Sequence, residues 1–441
     1  MGLRGRHIVG IADLARADLE LLFRCADRFA AQPRGQAHLG RGYQLATLFF
    51  EPSTRTRLSF ESAMNRLGGA VLTVADAAQS SVAKGETLAD TIRVVSAYAD
   101  IIALRHPREG AARLAADVAT VPVVNAGDGA HEHPTQTLCD LYTLYRECGR
   151  VAGLTVTLYG DLKYGRTVHS LARGLACCGA RLIFAPGDPA LAPPAYLLDR
   201  LRAEYGCEPG WWFPDDGAPL PPTNALYLTR IQRERFAGHA AGVRAYPRVD
   251  RDLLRRWGAD ERTLLMHPLP RAGELDPALD GEARSAYFRQ AANGVPVRMA
   301  LLALLLGLAE EEWGSGGAGP RPAEACAGAC ATAPRHPGYR AAGVACANPA
   351  CVSRHEPAAG GPRFDIAGLA GDGLDLRCRY CEHPARAAGA VDLAARAYRP
   401  AGDPGLRALL ATAPPEDVLL AATEEDALAA GVAAPAWAVR A

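Results

Sequence analysis

Four short stretches of this sequence carry hydroxyls, arginines and histidines in spacings suited to holding an anion. The first is Glu51-Pro52-Ser53-Thr54-Arg55-Thr56-Arg57, between the β-rich run 44–50 and an amphipathic run, 57–67, with Leu58, Ala63, Met64 and Leu67 apolar. Strand, turn and helix N-terminus in that order converge backbone N–H groups on an anion, and the helix dipole favours it. Ser53, Thr54 and Thr56 add hydroxyl donors, and Arg55 a planar fork suited to phosphate. A lone Ser-Thr-Arg would be an ordinary helix cap; three hydroxyls and two arginines together favour an anion site. The other stretches are Arg105-His106-Pro107, His133-Pro134-Thr135-Gln136, and Asp161-Leu162-Lys163-Tyr164-Gly165-Arg166-Thr167. They follow the strand-like runs 101–105, 122–125 and 155–159. Functional loops of open α/β sheets gather at the C-terminal ends of strands, so the four are expected to share one cleft. Two weaker pieces, Thr229-Arg230-Ile231-Gln232 and His267-Pro268-Leu269-Pro270-Arg271, follow further strands. The paired prolines fix a rigid turn and admit a cis Leu269–Pro270 bond.

A second chemistry resides in cysteine. Six of the 12 cysteines are scattered, and six crowd residues 326–381. Cys346-x4-Cys351 and Cys378-x2-Cys381 are two close thiol pairs separated by 26 residues. Such pairs close one tetrahedral zinc site of the structural kind. His355 and His383 lie nearby, but four thiolates already fill that shell. Cys326 and Cys330 fall in a Gly/Pro/Ala-rich stretch and are expected to be uncoordinated thiols.

The elements that must position these residues alternate. Besides the strands above, runs 70–74, 181–185, 224–228 and 263–266 are β-rich, and helical segments such as 167–178 lie between them. That alternation over some 310 residues predicts two parallel-sheet α/β domains. At 441 residues, 49% hydrophobic and 22% charged, the composition is globular. Lysine plus arginine and aspartate plus glutamate both number 48, so no basic excess points to nucleic acid. The longest apolar stretch, 299–309, is too short to span a membrane, and no signal peptide is evident, so a cytoplasmic location is expected. Only Lys84 and Lys163 are lysines, so both positions stand out where arginine is otherwise the rule.

Assembled, these strings make residues 1 to about 312 resemble the aspartate carbamoyltransferase catalytic chain. The matches are Phe-Phe-Glu-Pro-Ser-Thr-Arg-Thr-Arg at 49–57, Lys-Gly-Glu-Thr at 84–87, and Arg-His-Pro at 105–107. They continue with His-Pro-Thr-Gln-Thr at 133–137, Tyr-Gly-Arg-Thr-Val-His-Ser at 164–170, Thr-Arg-Ile-Gln at 229–232 and His-Pro-Leu-Pro-Arg at 267–271. The resemblance implies carbamoyl transfer from carbamoyl phosphate to L-aspartate, giving N-carbamoyl-L-aspartate and phosphate, an early step of pyrimidine synthesis. It implies that Ser53, Thr54, Arg55, Thr56 and Arg105 grip carbamoyl phosphate, with His133 and Gln136 also touching it. Thr56 and His133 would help Arg105 polarise the carbonyl. Arg166, Arg230 and Gln232 would hold the aspartate, and Leu269 would offer a backbone carbonyl to the reacting groups. Glu51 would bridge the two domains through Arg166 and Arg235. Ser80 and Lys84 would come from the neighbouring chain of a homotrimer with shared active sites. Attack of a neutral amine on the carbamoyl carbon needs no organic cofactor and no covalent nucleophile. It needs positive charge where an oxyanion develops, one good donor being worth roughly 3–4 kcal/mol.

The segments Cys-Ala-Asn-Pro-Ala-Cys-Val-Ser-Arg-His-Glu-Pro at 346–357 and Leu-Arg-Cys-Arg-Tyr-Cys-Glu at 376–382 resemble the zinc domain of the same enzyme's regulatory chain. The implied layout is a carbamoyl-phosphate domain over 1–134, completed by helices in 292–312, and an aspartate domain over 135–291. A linker over 313–340, a zinc-binding β domain over 341–390 and a tail over 391–441 follow. The linker leaves no room for a nucleotide-binding domain, so a CTP or ATP response is not expected, and trimers could pair into a hexamer through the zinc segments. An ornithine carbamoyltransferase is the nearest alternative, but its usual His-Cys-Leu-Pro and Ser-Met-Gly strings are missing. Intact Arg55, Lys84, Arg105, His133, Arg166 and Arg230 argue against a non-catalytic scaffold. In 341–390 five arginines meet five acids, so the basic patch of a nucleic-acid module is missing too.

Overall fold

The computed structural model describes residues 2–75, 81–232, 247–309, 338–356, 362–370 and 373–430. Ser80, Arg235, Cys326 and Cys330 lie outside the described residues. The chain forms two compact units, one from 1–83, 93–106 and 119–332, the other from 84–92, 107–118 and 333–441.

In chain order the early elements are α1 (Arg16–Ala31), β1 (Gln44–Phe49), α2 (Thr54–Leu67), β2 (Ala70–Val74), α3 (Leu88–Ser96), β3 (Ile101–His106), α4 (Ala111–Val118), β4 (Val123–Asp128) and α5 (Pro134–Cys148). The four strands make a wholly parallel sheet in the order β2-β1-β3-β4. β1 and β3 are buried over most of their length, as parallel strands covered on both faces must be. On α2, Thr56, Phe60, Ala63, Met64 and Leu67 are buried at helical spacing, and Gly68 in the left-handed region closes the helix. β4 runs three residues past the expected 122–125, because Asn125 accepts from the Gly127 N–H and donates to Asp128.

The second lobe of this unit contains β5 (Thr155–Gly160), α6 (Arg166–Cys177), β6 (Arg181–Pro186), α7 (Ala195–Tyr205), β7 (Gly210–Trp211), β8 (Ala225–Leu228), α8 (Arg251–Arg256) and β9 (Leu264–Met266). Its sheet is also parallel, in the order β7-β6-β5-β8-β9. The two-residue β7 has no periodicity to announce it. From the second lobe α9 (Tyr287–Leu306) returns to pack on α1, α2 and α5 of the first. The apolar stretch at 299–309 is therefore core: residues 299–305 are at most 5% exposed. No helix among the described residues is long and apolar enough to cross a membrane.

The second unit holds β10 (Tyr339–Ala342), β11 (Arg363–Ala370), β12 (Gly373–Cys378), β13 (Pro384–Ala387), β14 (Gly389–Asp392), β15 (Ala397–Pro400), α10 (Pro404–Thr412), β16 (Val418–Ala421) and α11 (Glu424–Ala429). All seven strands share one mixed sheet, β13-β12-β11-β10-β16-β14-β15. The stretch 391–441, expected as a tail, differs from that expectation. β16 pairs parallel with β10 and antiparallel with β14, so residues up to 430 complete the sheet of the cysteine-rich segment. Its strands are only four residues long, too short for alternation to show, and β14 and β15 each carry a single large apolar residue.

Candidate active site and metal centre

In each parallel sheet the strand order reverses beside one strand. β1 lies between β2 and β3, and β5 between β6 and β8, so two switch points open at the C-terminal ends of β1/β3 and of β5/β8. Of the stretches expected from the sequence to hold an anion, 51–57, 105–107, 161–167 and 229–232 lie at these ends, while 133–136 and 267–271 follow the outer strands β4 and β9. After β1, the Phe50 N–H donates to the Arg105 carbonyl at 2.8 Å. Glu51 follows, its Oε2 3.3 Å from Arg105 Nε and 3.0 Å from Arg166 Nη1. Arg166 opens α6 with its side chain only 6% exposed, and also donates to the Gly129 carbonyl at 2.8 Å. The guanidinium lies against Gly127 (φ +118°), where a Cβ would come within 3.0 Å of Arg166 Cζ. A side chain there would displace the arginine.

Ser53 is the N-cap of α2 and makes no side-chain capping bond. Thr54, Arg55 and Thr56 form its first turn, where N–H groups lack intrahelical acceptors; Thr56 is buried and Arg55 exposed. His133 is the N-cap of α5 and is nearly buried. Its N–H donates to Ser170 Oγ at 2.9 Å, and Ser170 Oγ donates to Glu132 Oε2 at 3.3 Å. Glu132 also accepts from the Ile11 N–H at 2.8 Å and pairs with Arg173. Gln136, one turn into α5, donates through Nε2 to Asp140 Oδ1 at 2.7 Å.

At the second switch point a single buried carboxylate organises both loops. The Asp161 N–H donates to Thr229 Oγ1 at 3.0 Å, and Asp161 Oδ1 accepts from the Lys163 and Tyr164 N–H groups at 3.2 and 2.9 Å. Asp161 Oδ2 accepts from the Gln232 N–H at 2.9 Å. The local half is an Asx turn, signalled by an Asp just before the loop. The bond to Gln232 is long-range and has no sequence signal. Arg230 Nη1 donates to the Ile231 carbonyl at 3.2 Å. Lys163 is exposed, with its ammonium 5.3 Å from the Tyr164 ring centroid. Leu269 has φ +52° and precedes a cis bond to Pro270. The Leu269 N–H donates to His267 Nδ1 at 2.8 Å, and His267 Nε2 lies 2.8 Å from Glu274 Oε1. That pattern requires the proton on Nε2. Burial lowers the His267 pKa, against the opposite pull of Glu274. The structure thus brings the Glu51–Arg105 and Glu51–Arg166 contacts to one carboxylate and ties Gln232 to Asp161. Asp140 and Glu274 are supporting groups outside every motif, and Asp161 and His267 stand inside quoted motifs that gave them no role of their own.

In the second unit Lys84 ends a single helical turn, Ser81–Lys84, and is exposed. The sulfurs of Cys346, Cys351, Cys378 and Cys381 all lie within 4.8 Å of one another and all four residues are buried. Cys346 and Cys381 Sγ are 3.4 Å apart, Cys351 and Cys378 Sγ 3.7 Å, and none is in a disulfide. A tetrahedral ion with roughly 2.3 Å metal–sulfur bonds spaces its sulfurs about 3.8 Å apart, so the set fits a structural metal. His383 turns Nδ1 to the Cys381 carbonyl at 3.3 Å, and His355 turns Nε2 to that of Pro349 at 2.8 Å.

The cysteine loop pairs with a segment of the catalytic-like part. Glu109 donates its N–H to the Ala350 carbonyl at 3.0 Å and accepts from the Val352 N–H at 2.9 Å. Its carboxylate takes the Asn348 amide at 2.7 Å. Arg379 reaches Asp117 at 2.8 Å, and Glu356 accepts from the Leu88 N–H at 3.1 Å. Gly110 (φ +82°) lies so close to Tyr380 that an added Cβ would meet its Cβ at 2.5 Å.

Residues 6–146 match the family described as aspartate/ornithine carbamoyltransferase, carbamoyl-P binding domain. Residues 152–305 match its Asp/Orn binding domain, and 341–388 match the aspartate carbamoyltransferase regulatory chain, metal binding domain. The chain is 50% identical over 312 residues to the aspartate carbamoyltransferase catalytic subunit of Thermococcus gammatolerans, covering 70% of this chain and 100% of the relative. It is 52% identical over 299 residues to that of Methanoculleus marisnigri, covering 67% and 98%. Among solved structures it is similar to the Trypanosoma cruzi aspartate transcarbamoylase in complex with aspartate and phosphate, at TM-score 0.62, 39% identity, and 69% and 96% coverage. It is also similar to the catalytic subunit of M. jannaschii aspartate transcarbamoylase, at TM-score 0.61, 42% identity, and 68% and 98% coverage.

Proposed function

Because the chain belongs to the aspartate carbamoyltransferase family, with a regulatory-chain-type metal-binding domain behind its catalytic part, we propose the following working of its site. Carbamoyl phosphate is held by the N-terminal turn of α2, with Ser53, Thr54, Arg55 and Thr56 around the phosphate. Arg105, Thr56 and His133 face the carbonyl oxygen, where negative charge develops. Gln136 and the Leu269 backbone carbonyl accept from the carbamoyl NH2. Arg166, Arg230 and Gln232 hold L-aspartate, whose neutral amine attacks the carbamoyl carbon. The C–O bond to phosphate then breaks, and the leaving phosphate accepts the amine proton. The gain lies in positioning and in fixed donors for the oxyanion.

The observation that carries this reading is the Glu51 carboxylate, ion-paired with Arg105 of the phosphate half and hydrogen-bonded to Arg166 of the acceptor half. It holds two arginines of opposite tasks at one place.

Ser80 and Lys84 act from a neighbouring subunit of a homotrimer. Supporting an oligomer, Leu58, Leu72, Val94 and Tyr98 are 40–63% exposed on α2, on the edge strand β2 and around the end of α3. Exposed apolar side chains and an edge strand are features that a subunit contact covers. The four cysteines hold Zn2+ as a structural ion, a role that borderline-soft zinc and four thiolates suit.

The test is carbamoyl transfer from carbamoyl phosphate to L-aspartate and, in parallel, to L-ornithine. Turnover with aspartate alone is expected. Turnover with ornithine alone would overturn the roles of Arg166, Arg230 and Gln232, and silence with both would leave a scaffold.

A further inference from the structure

Asp140 is fully buried on α5, one turn beyond Gln136. Its Oδ1 accepts from Gln136 Nε2 at 2.7 Å and from Gln290 Nε2 at 2.6 Å, and its Oδ2 accepts from the Tyr227 hydroxyl at 2.9 Å. Gln290 Oε1 accepts from the His267 N–H at 3.0 Å, and His267 Nδ1 accepts from the Leu269 N–H. A continuous set of hydrogen bonds therefore runs from Gln136 to the backbone of Leu269. It also settles the amide orientations. An ionised carboxylate only accepts, so Gln136 turns its NH2 inward and keeps Oε1 for a ligand. Gln136 lines a small cavity of about 20 Å³ together with Arg55, His267 and Pro268.

Resting on the carbamoyl-phosphate reading above, we propose that Asp140 is a positioning residue that sets the Gln136 carbonyl and the Leu269 backbone as paired acceptors for an NH2 group. It thereby selects a carbamoyl donor over an acyl donor such as acetyl phosphate, whose methyl group would leave both acceptors unpaired.

The charge state of Asp140 makes this testable. Burial pushes its pKa up to about 6, while the bonds from Gln290, Gln136 and Tyr227 and the charge of Arg298 pull it back. The charged or titratable groups around it are Arg298 of α9, Tyr227 of β8 and the Cys139 thiol. Above that value the carboxylate accepts all three donors. Below it, the added proton must occupy an oxygen that already receives one, and a bond is lost.

The experiment is kcat/KM for carbamoyl phosphate from about pH 5 to 9 in wild type, Tyr227→Phe and Asp140→Asn, with acetyl phosphate as the competing donor. In Asp140→Asn the new side-chain carbonyl still accepts both glutamine amides and the new NH2 turns to Tyr227, so the framework is kept. Wild type should show an acid limb near 6. Tyr227→Phe removes a bond to the ionised form and should raise that limb by about one unit. Asp140→Asn should flatten it, raise KM for carbamoyl phosphate about tenfold, and reduce the preference over acetyl phosphate. Titration of the substrate phosphate or of His133 would leave the limb at one position in all three proteins, which overturns the proposal. Should Asp140→Asn fail to fold, Tyr227→Phe decides alone. Absence of turnover by the wild-type chain overturns the functional reading and this proposal together; wild-type turnover with an unmoved limb overturns only the role of Asp140.

Discussion

Glu51→Gln isolates the contact on which the proposed reaction turns. In the wild type one carboxylate oxygen lies 3.0 Å from Arg166 and 3.3 Å from Arg105, with side-chain exposures of 25% for Glu51, 6% for Arg166 and 13% for Arg105. Glutamine keeps the shape and one acceptor but removes the charge. Hydrogen bonds to charged groups contribute about 1.5–3 kcal/mol against about 0.5–1.5 for neutral ones, so the change costs about 1 kcal/mol at Arg166, and loss of the ion pair with Arg105 costs up to about 1 kcal/mol. It also leaves two guanidinium groups facing each other without the anion between them. At an effective dielectric of about 20, that adds a further repulsion on the order of 1 kcal/mol once solvent screening of the partly exposed Glu51 is allowed for. The total is about 2–3 kcal/mol, or roughly 30- to 150-fold in kcat/KM for aspartate. Carbamoyl phosphate binding should change less, because α2 and its hydroxyls are untouched. Steady-state kinetics with each substrate varied in turn, paired with calorimetric binding of carbamoyl phosphate alone, reads both quantities. If kcat/KM for aspartate stays within twofold of wild type, the bridge contributes nothing and the reasoning fails. If only carbamoyl phosphate binding falls, Glu51 serves one lobe rather than two.

Chelation at neutral pH should make Cys346, Cys351, Cys378 and Cys381, all buried in the native chain, reactive toward a thiol reagent; a structural zinc site contributes on the order of 10 kcal/mol to folding. Unchanged thiol reactivity after a chelator has removed the metal would contradict the four-thiolate assignment. Glu132→Gln keeps an acceptor for Arg173, 3% exposed, but removes the buried carboxylate charge paired with it, although Glu204 remains 3.7 Å away. Uncompensated buried charges cost about 3–5 kcal/mol, so the urea midpoint should fall clearly, and an unmoved midpoint would show that Glu204 alone suffices. Mixing separately inactive Lys84→Gln and His133→Ala chains, then exchanging subunits, should restore activity if sites are shared between neighbours; persistent silence would place Lys84 in its own chain's site or outside any.

Much of the first unit was legible because its signals are local. β1, β2, β3, β5 and β6 were expected within a residue of where they form, since each is a β-rich run bounded by turn residues or a helix. Ser53 to Arg57 was legible because a helix N-terminus and its hydroxyls occupy consecutive positions. The supporting carboxylates were not, because their partners are distant. Asp140 meets Gln290 from 150 residues away and Asp161 meets Gln232 from 71. A lone Asp on a helix carries no mark of burial until the neighbouring elements are in place. The region after 390 failed for a different reason. Val391, Tyr398 and Leu420 are buried, but each strand spans only four residues, and β14 and β15 supply one large apolar residue apiece, too few for a period to emerge.

The metal-binding module is not merely appended to a catalytic chain. Its cysteine loop pairs through backbone hydrogen bonds with Glu109, four residues after Arg105, and Glu356 holds the backbone of Leu88, four residues after Lys84. Residues 84–92 and 107–118 accordingly belong to the same compact unit as the cysteine cluster. Two segments adjoining proposed substrate contacts are thus hydrogen-bonded to the domain that carries the four-cysteine cluster. Covalent linkage makes that pairing intramolecular, at an effective concentration of up to millimolar order, so it does not dissociate on dilution as a contact between separate chains does. Breaking the docking contact while leaving the metal bound separates docking from metal binding. Asn348→Ala removes the amide that holds Glu109 but no sulfur ligand, so any resulting rise in KM for carbamoyl phosphate would belong to docking, while metal content and thiol protection should remain unchanged.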